Sequence, residues 1–529
     1  MSNFGRTWFL PCCLVDSVLM IGVVLSSPLI IVILIVLQVH RQIVKALLVI
    51  RYGASFRGLL EGMDVVWAVQ SNSSKAMANV LLLFDMKSST NASNEISLTL
   101  RKRMEHHLKG TVYEKMFWQR CLQWGYYFWL QDHKVSFDHH IRQLDTLPNM
   151  KAVSRKDLCR LIGSMSTQEC KGNASWEILI GKQPVYYRQG NASMVPVIFR
   201  YHHSIADGVA MFRLLCNDFL DNDQVAMHQF EHGDVATTFH PDKDSQLPIM
   251  PTVGWRKLWQ VFFTAPRFLI HEIFFKREAN IFYGPKPSER KVTYWVREDS
   301  NAELDMIIPS MIKTIKKVKG LMKGCSFTDV FLLAFAMSLR NHCKRKMTNI
   351  PFLTISIMRR FERESKIVRL YNRSSPVFQT LPIGCLPVPN SPRNTLELLA
   401  QLFSMKKESD AVLSSGNALT TYWSLSYLPV LLPVPVMRII FARSKFSIAF
   451  SNIPALEKNV SVGGFDLLDA CFWVPNIEGN LFGLTVLTTN GRLQIGAIAD
   501  HLIIGGEEEL ENILNDTISE LQNYAKLLS

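Results

Sequence analysis

Three pairs of adjacent histidines occur in the chain: His106-His107, His139-His140 and His202-His203. Only the third leads into an acidic residue and a glycine, as His202-His203-Ser204-Ile205-Ala206-Asp207-Gly208. A neutral imidazole, with an ordinary pKa of about 6.5, is suited to take the proton of a hydroxyl as its oxygen attacks an electrophile. Help of this kind is worth roughly 10²–10⁴ in rate, and orienting two substrates together supplies the rest. In that reading one of the two imidazoles is the base. Asp207 holds the shape of the turn, through an arginine elsewhere in the chain, and Gly208 lets the backbone pass close to the reacting centre. Other readings use the same residues. Asp207 is also a common helix cap. The two histidines are possible metal ligands, although neighbours on a strand point to opposite faces. Ser204 is a possible nucleophile, although no G-x-S-x-G elbow surrounds it.

The elements around the motif must place these groups. Val195 to His203 alternates as a strand, with Val195, Val197, Phe199, Tyr201 and His203 on one face and Ile198 and His202 on the other. Phe212, Leu215 and Phe219 then recur at helical spacing, so the motif sits in a strand–turn–helix. The pattern predicts a buried strand over Asn79 to Asp85, a helix over Leu98 to Leu108, and a buried helix over Phe327 to Leu339. It also predicts a hairpin, Leu481 to Thr489 and Arg492 to Asp500, about Asn490-Gly491. A last helix shares Leu510, Leu514, Ile518, Leu521 and Ala525 on one face.

At 529 residues, with 48% apolar and 19% charged residues, the chain exceeds one core and leans toward membrane contact. Its net charge of +13 raises nucleic acid as a partner. The basic cluster Lys313, Lys316, Lys317, Lys319 and Lys323, however, alternates with Ile312, Ile315, Val318 and Met322 as the wet face of a helix. No zinc-finger or RNA-binding signature accompanies it, so no nucleic-acid partner is expected. A basic surface on anionic lipid fits better. The ten cysteines form no C-x-x-C, which gives no zinc site and no disulfide framework.

Val18 to Leu37 is a run without a charge, about the length that crosses a bilayer core as a helix, and Pro28 within it is tolerated there. A cleaved signal peptide is the competing reading, but the run is longer than a usual h-region and no small-x-small cleavage site follows before His40 and Arg41. Arg41, Lys45, Arg51 and Arg57 follow the run and only Arg6 precedes it, so the positive-inside rule predicts a single-pass anchor with a cytosolic body. The sequons at Asn72, Asn91, Asn173, Asn191, Asn372, Asn459 and Asn515 point the other way. Polar residues from Asp221 to Gln246 read as a loop or boundary. Trp255 to Phe275, rich in Trp and Phe, reads either as a segment in the headgroup layer or as a buried core helix, and Leu425 to Phe441 as a second lipid contact.

H-H-x-x-x-D-G is the signature of the CoA-dependent acyltransferase superfamily, and from about Glu61 to Leu521 the chain resembles its wax ester synthase/diacylglycerol acyltransferase branch. Phe137-Asp138-His139-His140-Ile141-Arg142 is similar to that branch's F-D segment, and Ser175-Trp176-Glu177-Ile178 to its P-L-W-E stretch. Ser451-Asn452-Ile453-Pro454 resembles its S/T-N-V-P motif, and Gly491-Arg492-Leu493 with Ala499-Asp500 its last hairpin. The resemblance implies an α/β fold of two chloramphenicol-acetyltransferase-like lobes, with mixed sheets flanked by helices and a tunnel between them. It implies direct transfer of a fatty acyl group from acyl-CoA to a lipid alcohol, with His203 as base, acyl-CoA as substrate and no cofactor. Membrane lipid is the expected partner and the endoplasmic reticulum the expected location.

Where the branch has an Asn-Asp pair, this chain has Thr328-Asp329, and Ala455 follows Pro454 where a glycine is usual. Thr328, Asp329, Ser451 and Asn452 are candidates for holding substrate or the developing oxyanion. The domains expected are an anchor over 1–57, an N-terminal lobe over 58–245, a linker with an apolar segment over 246–295, and a C-terminal lobe over 296–529. A non-catalytic lipid-binding protein on the same fold, and acylation of a small polar acceptor, are the alternatives.

Overall fold

A computed structural model describes residues 12–528 outside 70, 72, 88, 109–112, 132–136, 145–151, 187–192, 222–253, 275–279, 283–286, 299–309, 349, 361–367, 385, 387–393, 442–445, 457–459, 477–479 and 490. Most of the predicted polar loop after Asp221 lies outside the described residues, as do Asn72, Asn191, Asn459 and Asn490.

The apolar run becomes α1 (Cys12–Tyr52), one helix of 41 residues that continues through Pro28. At about 1.5 Å per residue it is roughly 60 Å long, about twice the hydrocarbon thickness. It is long and apolar enough to cross a membrane, and Leu25, Leu29 and Val36 stand exposed. Its second half belongs to the body, because Val44 and Leu48 are buried with Leu59, Tyr126 and Phe128. Those partners come from a small antiparallel sheet. It holds β1 (Phe56–Leu59), which is followed by α2 (Met63–Ala68), β2 (Met77–Asp85) and α3 (Ala92–Leu108), and then β3 (Trp118–Gln123) and β4 (Tyr126–Gln131), in the order β1-β4-β3. Trp124 and Gly125, both at positive φ, make the tight turn between β3 and β4.

The chain continues with α4 (Phe137–His140), β5 (Ile141–Gln143), β6 (Val153–Ser154), α5 (Arg155–Met165), β7 (Trp176–Ile180), β8 (Val185–Tyr186), β9 (Met194–His202) and α6 (Gly208–Leu214). Its second half holds α7 (Trp255–Phe274), β10 (Lys291–Arg297), α8 (Met311–Gly320), α9 (Phe327–Arg345), β11 (Leu353–Arg360) and β12 (Ser374–Leu381). Then follow α10 (Thr395–Ser414), α11 (Asn417–Leu431), α12 (Val434–Phe441), β13 (Ile448–Leu456), β14 (Ser461–Val462) and β15 (Phe465–Trp473). The chain closes with β16 (Phe482–Thr489), β17 (Arg492–Asp500) and α13 (Glu507–Leu528). The predicted hairpin is β16–β17, closing at Thr489 opposite Arg492 with Gly491 at φ 72°.

Two sheets carry the lobes, ordered β14-β15-β2-β9-β7-β5 and β10-β17-β16-β13-β11-β12. The two halves of the chain interleave across the expected boundaries at 245 and 296. β15, from the C-terminal half, pairs antiparallel with β2, Cys471 opposite Leu81. α5, from the N-terminal half, packs on β10. There the Thr293 hydroxyl donates to Cys159 O at 2.6 Å, and a Cβ on Gly163 would fall 2.7 Å from Lys291 O. Only glycine permits that approach. Such partners are remote in sequence, so no local pattern announces them. The 246–295 stretch is likewise more than a linker, since α7 packs on α1 and α11.

The core of the C-terminal lobe is centred on α9, where every residue from Asp329 to Leu339 is buried. This helix is apolar all round because sheet and helices enclose it. On the other lobe, β9 is buried along its whole length.

Candidate active site

β9 delivers the motif. Its pleat turns Phe199 and Tyr201, and beyond its end His203, into a cavity of about 330 Å³ at the junction of the lobes. His202 points away: its Nδ1 lies 2.7 Å from the Ser204 hydroxyl and accepts the Ser204 backbone N–H at 3.1 Å. The two imidazoles therefore do not converge. Ser204 is fully buried and lies outside the cavity lining.

His203 is fixed on three sides. Its backbone N–H donates to Ala76 O at 2.9 Å, its ring stacks on Trp67 at 3.8 Å between centroids, and its Nδ1 lies 3.0 Å from Asn372 Oδ1. The Asn372 amide nitrogen donates to Asp64 Oδ1 and to His203 O, both at 2.8 Å. The Asn372 oxygen is thus the end that faces the ring, and it must accept from a protonated Nδ1. In the neutral ring this leaves Nε2 with the free lone pair. Asp64 is itself paired with the buried Lys115. Burial pushes the His203 imidazole down to about 4, against smaller upward effects from Asp207 and Asn372. Burial also holds His202 well below its usual value, with Arg120 and His203 adding to it.

Asp207 ties the turn to the opposite lobe. Its Oδ1 caps α6 by accepting the Ala210 N–H at 2.9 Å. Its Oδ2 accepts the Arg373 N–H at 3.0 Å and the Ser374 hydroxyl at 2.9 Å. Arg360 Nε lies 3.9 Å from the same oxygen. One oxygen of Asp207 thus caps the helix, and the other joins the turn to the Arg373 backbone and the Ser374 hydroxyl. Gly208 lines the cavity, and a Cβ there would meet Ile453 Cδ1 at 3.3 Å.

Ser451 and Asn452, on β13, reach the same cavity. Thr328 and Asp329 do not line it. Asp329 is the N3 residue of a capping box with Ser326 at the start of α9, and its other oxygen accepts the Ser409 hydroxyl at 2.7 Å. Thr328 beside it is half-buried. The F-D and W-E segments meet behind β9. Arg142 Nη2 donates to Glu177 Oε2 at 2.7 Å, His140 Nδ1 lies 2.9 Å from Trp176 O, and Arg200 pairs with the other Glu177 oxygen. These segments brace the strand that carries the histidine.

Asn372, Asp64, Trp67 and Lys115 escaped the reading of the sequence. Asn372 lies 169 residues from His203 and 308 from Asp64, and its only local signal was that of a sequon. Buried and fully engaged, that side chain is closed to glycan, whereas Asn91 and Asn515 are exposed.

Residues 380–522 match the family described as the WS/DGAT C-terminal domain. The fold is similar to that of the wax ester synthase/diacylglycerol acyltransferase from Marinobacter aquaeolei VT8, with 14% identity, a TM-score of 0.57, and coverage of 89% of this chain and 100% of that one. It is also similar to the trichothecene 15-O-acetyltransferase from Fusarium sporotrichioides, with 12% identity, a TM-score of 0.57, and coverage of 88% and 94%. No curated protein matches the chain in sequence. Over residues 380–522 the chain matches the WS/DGAT C-terminal domain, and as a whole it has a two-lobed chloramphenicol-acetyltransferase-like α/β fold similar to that of these acyltransferases.

Proposed function

We propose that this chain transfers a fatty acyl group from acyl-CoA to the hydroxyl of a lipid alcohol, a long-chain fatty alcohol or a diacylglycerol, giving a wax ester or triacylglycerol. One observation carries the reading: a neutral His203, its Nδ1 proton held by Asn372, sits at the wall of a largely apolar cavity between two lobes. Nε2 takes the hydroxyl proton as the alcohol oxygen attacks the thioester carbonyl. The C–S bond then breaks, and the departing CoA sulfur takes the proton back from the imidazolium. Ser451 and Asn452 stand on the same cavity and are assigned to the oxygen that gains charge. Thr328 and Asp329, on a helix start outside the cavity, are given no part in that step.

The apolar lining favours a lipid acceptor over a small polar one, because an unpaired polar group there loses its hydration. α1 is assigned as a single span of the endoplasmic reticulum membrane, with the body on the cytosolic side where Arg41, Lys45, Arg51 and Arg57 lie. Microsomes bearing the full chain are expected to esterify hexadecanol or diacylglycerol from labelled palmitoyl-CoA, and His203→Ala to abolish this. Equal rates in mutant and wild type overturn the assignment. A mobility shift after deglycosylation overturns the orientation.

A further inference from the structure

The cavity that holds His203 does not close at the protein surface. Leu428 on α11 and Ile440 on α12 both line it, yet they are 42% and 38% exposed, so they mark its mouth. Phe268 and Leu269 of α7 line the same cavity. The outer face of α7 carries Trp255, Trp259, Phe262 and Phe263, all exposed, at the spacing of a single helical stripe. Its buried Val261 marks a second face, and exposed Arg256, Arg267 and His271 mark a third. Apolar, protein-facing and basic stripes on one helix suit a position at the headgroup–acyl boundary, with the cations toward anionic lipid. α12 repeats the pattern with exposed Val436 and Ile439 beside exposed Arg438.

The helix long enough to cross a membrane also fixes where this face lies, because α1 packs on both α7 and α11. An anchor seated in the bilayer therefore holds α7 and α11 beside the membrane, and α12 follows α11 directly in the chain. The apolar surface at the mouth is thus continuous with the membrane segment. We infer that α7, α11 and α12 form a portal opening into the bilayer, through which the tail of a lipid alcohol passes between Leu428 and Ile440 to His203 without crossing water. This rests on the acyl-transfer reading of His203 for its purpose, but its geometry is tested without turnover.

The full-length His203→Ala chain is reconstituted in phosphatidylcholine vesicles that carry a diazirine analogue of hexadecanol, then irradiated and mapped by mass spectrometry. Label is expected on α7 and α12, and inside the cavity at Phe212 and Met211. In a Leu428→Trp/Ile440→Trp double variant the interior label should fall about tenfold, since added bulk in an apolar passage discriminates on that scale, while label on α7 persists and shows the protein folded and membrane-bound. Interior label that survives the plug, or label confined to α1, overturns the portal. An inter-chain crosslink through α7 together with protection of Trp259 from brominated lipid assigns the face to a second copy and also overturns it. A wild-type chain that esterifies neither hexadecanol nor diacylglycerol, while the His203→Ala chain keeps its interior label, instead counts against the acyl-transfer reading alone.

Discussion

Asn372 Oδ1 stands 3.0 Å from His203 Nδ1 although 169 residues separate the two in the chain. The Asn372 amide nitrogen is spent on Asp64 and on the His203 carbonyl, so the pair can adopt one polarity only. That choice of tautomer aims the basic nitrogen at the cavity.

Asn372→Ala should therefore lower kcat by roughly 10–10² while leaving the KM for acyl-CoA within about twofold, because the ring loses its hold and not its substrate. Steady-state kinetics on microsomes check this. Asn372→Gln should leave the electrophoretic mobility of the chain unchanged, since the native side chain is buried and fully hydrogen-bonded.

His203 links activity and stability to acid. Its imidazole is pushed down to about 4 by burial, against about 6.5 in the unfolded chain. The unfolded state therefore binds the proton more readily between those values. Stability from this group is complete above about pH 6.5 and is lost as pH falls toward 4, by on the order of 3 kcal/mol. Thermal melts in detergent at pH 7 and pH 4.5 should differ more for wild type than for His203→Phe. The acid limb of kcat/KM should fall near pH 4 and not near 6.5.

Asp207 serves two lobes with two oxygens. Asp207→Ala removes the α6 cap, at about 1 kcal/mol, and strands the buried Ser374 hydroxyl and Arg373 N–H, at about 1–3 kcal/mol more. Asp207→Asn keeps one acceptor oxygen and should lose less. Melting temperatures ordered wild type, Asn, Ala are expected, and an Asn variant as unstable as the Ala variant contradicts the division of labour.

Glu177 is fully buried between Arg142 and Arg200. Glu177→Ala leaves two cations facing each other behind β9 and should destabilise by about 3–5 kcal/mol. A loss under 1 kcal/mol in a denaturant titration would show the brace to be dispensable.

The sequence by itself determined the local parts. Alternation over Val195 to His203 set which histidine faces which way, because side chains on a strand change face at every residue. The unbroken run from Val18 gave the long helix, and the residues about Gly491 gave the hairpin. Tertiary structure alone decided which distant groups meet the motif. Nothing near Asn372, Asp64 or Trp67 marks them as neighbours of His203, since their contacts depend on strand order and lobe packing. The same holds for β15, which joins a sheet begun almost four hundred residues earlier at β2, and for Asp329, which the motif pattern pointed toward substrate and the fold uses as a helix cap. Periodicity is a property of adjacent residues, whereas a site is a property of surfaces brought together, and only burial of the two cores brings these together.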